Sequence, residues 1–480
     1  MELDPDFIKE NIIEIGKKEG LILLKEFIES STEPLIRRKA LENYGELEDG
    51  KNFNFFENIF FSDEDLEMRL IAGKVLKTNY SAHKKLISLL EYALKKLVSI
   101  EQKIFSLRAL QTIDSVKARK IIIEYMKFLI KTRFKNSVKG ITEVILKYEN
   151  KNSLPESLIE ICTNLILNDY YVNVCGFLST LRKGRIVSLD CESLAIKCIR
   201  DITGIKNLND LEHLNIQRTN IRYLDDLHHF KNLKYLNLSY NKIQEIENMS
   251  SLADLEELDL SYNKISKIVN LKSLNKLKKL SLANNMIKEI ENLDSLVNLE
   301  DLNLAHNKIM EIKNLENQVK LKKINLSSNW IEKLTGFEGL TNLIWLSVNN
   351  NRISQITGLS SLSNLRLLYI SNNQVEKIEG LDNLLNLRKL ELSNNRISYL
   401  EGLEDLSELQ ELYLDDNFIE KLDGLDYLKN LIILHIGRNK ITKFRSDDIK
   451  NQTNLNFLFL NENPLDQQSW EHYSKRFRFP

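Results

Sequence analysis

The chain of 480 residues is short of several things at once. It holds five prolines, and none falls between Pro155 and Pro464. It holds four cysteines, Cys162, Cys175, Cys191 and Cys198, with no CxxC pair and no histidine cluster beside them. That spacing gives no zinc site, and buried free thiols in a reducing compartment are expected. Net charge is nearly absent: 67 basic and 68 acidic residues leave −1, interspersed along the chain. No overall basic field therefore calls for nucleic acid or a membrane surface. No run of about 18 apolar residues occurs, which excludes a membrane-spanning helix. The opening Met1-Glu2-Leu3-Asp4-Pro5 is acidic and has no apolar stretch, so no secretory leader is read there.

Signatures of catalysis are missing too. There is no P-loop, no GxGxxG and no HExxH, and the seven histidines are scattered. His228-His229 sits on a turn and reads as surface residues, not a metal site. Asp415-Asp416 is a carboxylate pair, but on an open face water should keep both ordinary acids, since a raised pKa needs burial. The expectation is a cytoplasmic monomer that is not an enzyme, with no cofactor and no metal.

What is present is a period. Asparagines recur every 22 residues at Asn241, Asn263, Asn285, Asn307, Asn329, Asn351, Asn373, Asn395, Asn417 and Asn439. Each stands in the frame LxxLxLxxNxIxxI, with repeats beginning at Leu211, Leu233 and so on to Leu431 and Leu455. A fixed period of this length means a solenoid. Counting from the leading leucine, positions 4 and 6 alternate with polar neighbours, which predicts a short strand. The strands stack in parallel and line a concave face. Position 9, the asparagine, offers buried donors and acceptors to backbone groups left without ladder partners where the strand ends. Position 16 is Asn248, Asn270, Asn292 and Asn314, then Gly336, Gly358, Gly380, Gly402 and Gly424. Asn and Gly tolerate positive φ, so a tight turn should recur there. Twenty-two residues leave little room for a convex helix, so 3₁₀ or extended segments are expected. The period frays at both ends. Thr219 takes the first asparagine slot, a degenerate repeat spans about 189–210, and Asn463-Pro464-Leu465 leads into a capping segment with Trp470 and Tyr473.

This frame resembles the SDS22-like subclass of leucine-rich repeats, found in regulatory subunits of protein phosphatase 1. Internalins share its 22-residue length. The resemblance covers roughly 189–480 and implies an α/β solenoid, a horseshoe with a parallel concave sheet. It also implies binding through concave side chains.

Residues 1–188 lack the frame and read as helices with apolar faces, as at Ile121–Ile130 and Leu158–Leu167. Small residues recur at Ala40, Ala72, Ala109, Gly140 and Gly176, flanked alike in Arg37-x-x-Ala40 and Arg69-x-x-Ala72. Small residues at that spacing let paired helices approach, and the segment resembles HEAT-like α-solenoids. Pro34 and Pro155 fit helix starts. The expected domains are an all-α HEAT-like domain at 1–188, the array at 189–454, and a last repeat with cap at 455–480. The connecting residues 181–190 are too short for a flexible linker, so the helical domain is expected to cap the array.

Concave side chains come from positions 3, 5, 7 and 8. In early repeats they are small or charged, as at Glu257, Asp259, Lys279, Ser281 and Asp301. In late repeats they become Trp345, Leu367, Phe457, Tyr369, Tyr413, His435 and Phe459, with Glu391, Glu411 and Asp415 among them. Large apolar groups pointing away from a core, ringed by carboxylates, are the material of a protein-binding hot spot. The plainer reading is that they stack only to stabilise neighbouring strands. The acidic bias predicts a client with a basic patch. Trp330 and Phe418 at position 10 suggest a second contact edge at the rim. The expected function is a protein-binding scaffold or regulatory subunit, with phosphatase regulation implied by the resemblance. The alternative is a small-GTPase pathway adaptor or a cytoskeletal linker that grips through both domains.

Overall fold

The computed structural model describes residues 4–133, 141–149, 151 and 153–477. The chain divides into two compact units. One runs through Val187 and takes in Thr203–Leu208; the other holds Ser188–Ile202 and Asn209 onward.

The first unit is built almost wholly of helices. Helix Lys17–Ser30 packs on Pro34–Leu47, Phe53–Ser62 on Leu66–Asn79, and Leu86–Lys96 on Ile100–Ile113. The second helix of each pair also packs on the second helix of the next. Ala40, Ala72 and Ala109 lie on these three second helices and are buried. Nearby glycines show why size matters there. A Cβ on Gly73 would come within 2.7 Å of the Phe105 ring and 2.9 Å of the Phe60 ring. The flanking arginines serve the same stacking: Arg37 bonds Asp63 at 2.7 Å and Arg69 bonds Gln102 at 3.1 Å. Gly176 does not belong to this series. It occupies a turn at φ +74° with open space around it, so its role is conformational. Gly140 lies outside the described residues. Pro34 opens its helix as expected, and Pro155 is the N-cap of helix Glu156–Asn173. Tyr171 and Leu167 of that helix hold the 203–208 segment. The Tyr171 hydroxyl donates to the Thr203 carbonyl at 2.7 Å, and Leu167 fills the space where a Gly204 Cβ would be.

The second unit is a solenoid of parallel strands with the leucine-rich-repeat fold. From residues 188–190 to Phe457–Phe459 the strands pair in chain order, each parallel to the next. Each is only three residues long between His213–Asn215 and Phe457–Phe459, and its middle residue is buried. Equivalent frame positions pair across neighbours, as Trp345↔Leu367↔Lys389. The leucines at positions 1, 4 and 6 and the apolar residues at 11, 14, 17 and 20 form one continuous core, nearly all without solvent contact. Each such side chain contributes roughly 1.5–3 kcal/mol, which makes the stacked core the main source of stability. The convex side has turns and short 3₁₀ segments, such as Leu227–His229, in place of helices.

Two recurrent turns shape every repeat. The first was not visible in the frame: position 8 is left-handed at each turn, from Tyr240 (φ 55°) to Arg438 (φ 49°), although it is never glycine. That conformation costs a non-glycine residue roughly 1–2 kcal/mol. It bends the chain inward, so the asparagine that follows enters the core. There the amide of Asn329 donates to the carbonyls of Leu304, Leu326 and Ser327 at 3.0, 3.0 and 3.3 Å and accepts from the Ile309 N–H at 3.0 Å. One side chain thus satisfies groups on two successive turns. Asn463 extends the ladder beyond the strict period, and Thr219 opens it by donating to Asn241 at 3.0 Å.

The second turn is position 16. All nine residues there have positive φ, but the two types solve it differently. The asparagines donate to a carbonyl of the preceding turn, as Asn292 to Ile268 at 2.7 Å. At the glycines that carbonyl has moved in: a Cβ on Gly358 would collide with the Leu334 oxygen, and one on Gly424 with the Leu400 oxygen. The solenoid closes at helix Gln467–Arg476, where the buried Tyr473 donates to the Leu458 carbonyl at 2.8 Å.

Two outcomes follow for stability by chemical denaturation. Asn329→Ala should cost about 3 kcal/mol, because several buried backbone groups lose their partner at once. Gly358→Asn should cost more than Asn292→Gly, which gives up about 1 kcal/mol of hydrogen bonding. Equal costs would mean the two turn types are interchangeable.

Candidate functional site

The early and late halves of the concave face differ in how far their side chains satisfy one another. In the early half, position 2 alternates in sign, and each lysine reaches the glutamate one turn back: Lys234–Glu212 at 3.4 Å, Lys278–Glu256 and Lys322–Glu300 at 2.7 Å. Position 3 does the same at Lys279–Glu257, 2.7 Å. Such exposed pairs add at most about 1 kcal/mol each. Their larger effect is to cancel the local field, so this half offers a partner little to hold.

The late half breaks the alternation. Trp345 packs on Tyr369 with ring centroids 5.6 Å apart. Lys389 then lies over both Tyr369 (5.8 Å) and Tyr413 (4.3 Å) and pairs with Glu411 at 2.9 Å. The Tyr413 hydroxyl donates to the same carboxylate at 3.0 Å. Tyr413 stacks on His435 at 4.7 Å, and His435 on Phe459 at 3.9 Å. The result is a continuous row across the last turns, flanked by the half-buried Leu367 and the exposed Phe457. Lateral stacking therefore operates here, but it leaves Trp345, Tyr369, Tyr413, His435 and Phe459 only half-buried. Phe457 remains 54% exposed. Lys389, which joins the two aromatic groups, was missed in the sequence, although it occupies position 3 like Trp345 and Leu367.

The carboxylates are partly committed. Glu391 accepts from the Ser371 hydroxyl at 2.8 Å. Asp416 receives both arms of Arg438 at 2.6 Å, and this bidentate bond holds its carboxyl below the usual range. Asp415 departs from the expectation of an ordinary acid. It points to the Gly437 N–H at 2.7 Å and the His435 ring at 3.4 Å, and burial pushes its pKa up. A Cβ on Gly437 would sit 2.9 Å from its Oδ1, so the glycine makes room for this contact. Burial between two rings likewise lowers the His435 pKa and outweighs the pull of Asp415. For Glu411 burial acts upward, but Lys389 and Tyr413 prevail and hold it low. From the Leu343 repeat onward positions 3, 5, 7 and 8 carry Glu391, Glu411, Asp415, Asp416 and Glu462 against Lys389 and Arg438, while position 2 adds Arg366 and Arg388, so the acidic surplus lies in the strand columns themselves.

Elsewhere, Tyr240 and Tyr262 stack at 4.0 Å with Arg218 over Tyr240, a surface arrangement. Asp226, His228 and His229 bring potential ligand atoms within 4.8 Å of one another, one ligand short of a closed tetrahedral set. Among the described residues no cysteine is in a disulfide, but only Cys162 and Cys191 are buried; Cys175 and Cys198 are half-exposed, contrary to expectation.

Comparison with known proteins agrees with this architecture. A family profile described as leucine-rich repeats (2 copies) matches residues 231–273, 253–296, 275–317, 341–383 and 385–427. Among solved structures, an internalin (inlF) of Listeria monocytogenes is 28% identical with a TM-score of 0.56, covering 61% of this chain and 87% of its own. A leucine-rich-repeat protein of Leptospira interrogans is 27% identical with a TM-score of 0.50, covering 58% and 79%. The TLR13–ssRNA13 complex is 27% identical with a TM-score of 0.55, covering 60% of this chain and 45% of that one. No curated protein matches the chain.

The depressed His435 pKa gives a pH signature. The folded protein resists a proton that the unfolded chain accepts near 6.5, so His435 costs stability as pH falls through that value. Asp415 acts with the opposite sign, adding stability as pH falls toward its ordinary value of 3.8 from above. His435→Phe should therefore lose less stability than the parent between pH 7.5 and about 5.5 in urea unfolding. Parallel curves would contradict the burial argument.

Proposed function

We propose that this protein is a binding scaffold whose client protein docks on the concave face of the last turns. The observation that carries this reading is the contrast within one face. The early half cancels its own charges, whereas the late half exposes a row of aromatic and aliphatic groups inside an acidic surround. Large amphipathic side chains with a polar rim are what hot spots are made of. We place the anchors at Trp345, Leu367, Tyr369, Tyr413, His435, Phe457 and Phe459, with Glu391, Glu411 and Asp415 setting orientation. The surplus of carboxylates favours a client with a basic patch, which would speed association and make it sensitive to salt. Regulation of a phosphatase is the finer reading, supported by resemblance of the frame to SDS22-like subunits. The paired helices and buried small residues support a HEAT-like reading of the helical unit, which would give the protein a second grip. Four cysteines outside any disulfide fit a cytoplasmic setting.

The likeness to an internalin favours one other reading, a surface adhesin, in which the same face would meet an extracellular partner. The two part at the identity of the client, not at the site.

Affinity capture from native extract with mass spectrometry tests the proposal. The intact chain and a Trp345→Ala/Tyr369→Ala/Tyr413→Ala variant, shown by circular dichroism to be folded, serve as baits. The variant should lose its client by at least ~30-fold, as hot-spot truncations cost about 2 kcal/mol or more. A Glu257→Ala/Lys279→Ala variant in the early half should keep it. An unchanged client list from the triple variant would mean the row is structural.

A further inference from the structure

The flank that follows the ladder asparagine carries a second pattern, which the concave site does not use. From Lys264 onward position 10 is a cation at every other turn, at Lys264, Lys308, Arg352, Arg396 and Lys440; Lys242 stands one turn before the alternation begins. The turns between carry Met286, Trp330, Gln374 and Phe418. Met286, Trp330 and Phe418 are 44%, 36% and 45% exposed, more apolar surface than a solvated flank requires. Among the described residues none of the five cations is in an ion pair, unlike the lysines at position 2. Two are instead set against rings: Arg352 over Trp330 at 5.5 Å and Lys440 over Phe418 at 4.8 Å. Two residues further on, three of the four uncharged turns carry Glu332, Glu376 and Glu420, and the Met286 turn carries Lys288. The row ends at an open groove of about 590 Å³ lined by Lys421, Lys440, Lys443 and Arg445, with Glu420, Asp423 and Asp448.

Spacing and sign narrow the occupant. Neighbouring strands stand roughly 4.8 Å apart, so the alternate cations recur about every 10 Å. A polyproline II chain rises about 3.1 Å per residue and returns to the same side after three, near 9 Å. A β-strand returns after about 7 Å and falls out of step. A continuous phosphate chain is charged at every unit and would meet the three glutamates. We propose that this flank docks an extended acidic segment of a protein partner, with a carboxylate at every third residue facing the cations. Its intervening residues lie over Met286, Trp330 and Phe418. The surface is separate from the client site on the concave face.

Fluorescence anisotropy on the full chain tests this with a labelled peptide of repeated Glu-Pro-Pro units, long enough to run from Lys264 to Lys440. Arg352→Glu/Arg396→Glu/Lys440→Glu should weaken binding about tenfold, three exposed charge contacts being lost. Trp330→Ala/Phe418→Ala should weaken it about threefold. Lys278→Glu/Lys322→Glu, on the self-paired column, should leave it unchanged, as should the concave triple variant. The proposal is overturned if the peptide does not bind, if the control reversal weakens it as much as the rim reversal, or if a single-stranded oligonucleotide of equal length binds more tightly.

Discussion

Everything in the repeat unit depends on what happens where each short strand ends. A three-residue strand leaves its last N–H and C=O groups facing a core with no water to take them. One buried amide per turn, reached through a left-handed residue, answers that need and ties each turn to its neighbour. Asn329 bonds the backbone of its own turn and of the turn before it, so no repeat is complete alone. Cooperativity along the solenoid follows from this, because a turn that opens strands the polar groups of the next. The strain at position 8 is accepted because the ladder returns more than it costs.

That regularity frees the concave columns for other work. Frame residues hold the shape, and the exposed positions between them can vary without touching the core. In the early half they are used to cancel charge between turns. In the late half Lys389 and Arg438 hold carboxylates in place while the rings of Tyr413, His435 and Phe459 stack on one another. A surface arranged in this way is stiff before a partner arrives, which lowers the entropy lost on binding. On the flank past the asparagine, from Lys264 onward, cations outside ion pairs recur at every second turn.

Much of the fold was legible because its cause is periodic. The leucine columns, the asparagine ladder, the turn at position 16 and the capping tyrosine all follow from a frame that repeats. The left-handed position 8 was missed, although Asn284, Asn350, Asn372, Asn394 and Asp416 there are types that tolerate positive φ; residues as unlike as Tyr240 and Arg438 at the same position masked the signal. The concave columns could be assigned from period-2 alternation, but partnerships within them could not. Lys389 reads as one more charged residue until its reach to Glu411 and Tyr413 is known. Asp415 reads as a solvated acid until Gly437 is seen to let the backbone close on it. In the helical unit Ala40, Ala72 and Ala109 announced close packing correctly. Gly176 mimicked their spacing for a different reason, a turn.

Oxidative footprinting of side chains, with and without the captured client, tests the central claim most directly. The account predicts protection of Trp345, Tyr369, Tyr413, His435, Phe457 and Phe459, with Tyr240 and Tyr262 of the same array oxidised as before. Protection of the early tyrosines or of the helical unit, with the late row left reactive, would contradict it.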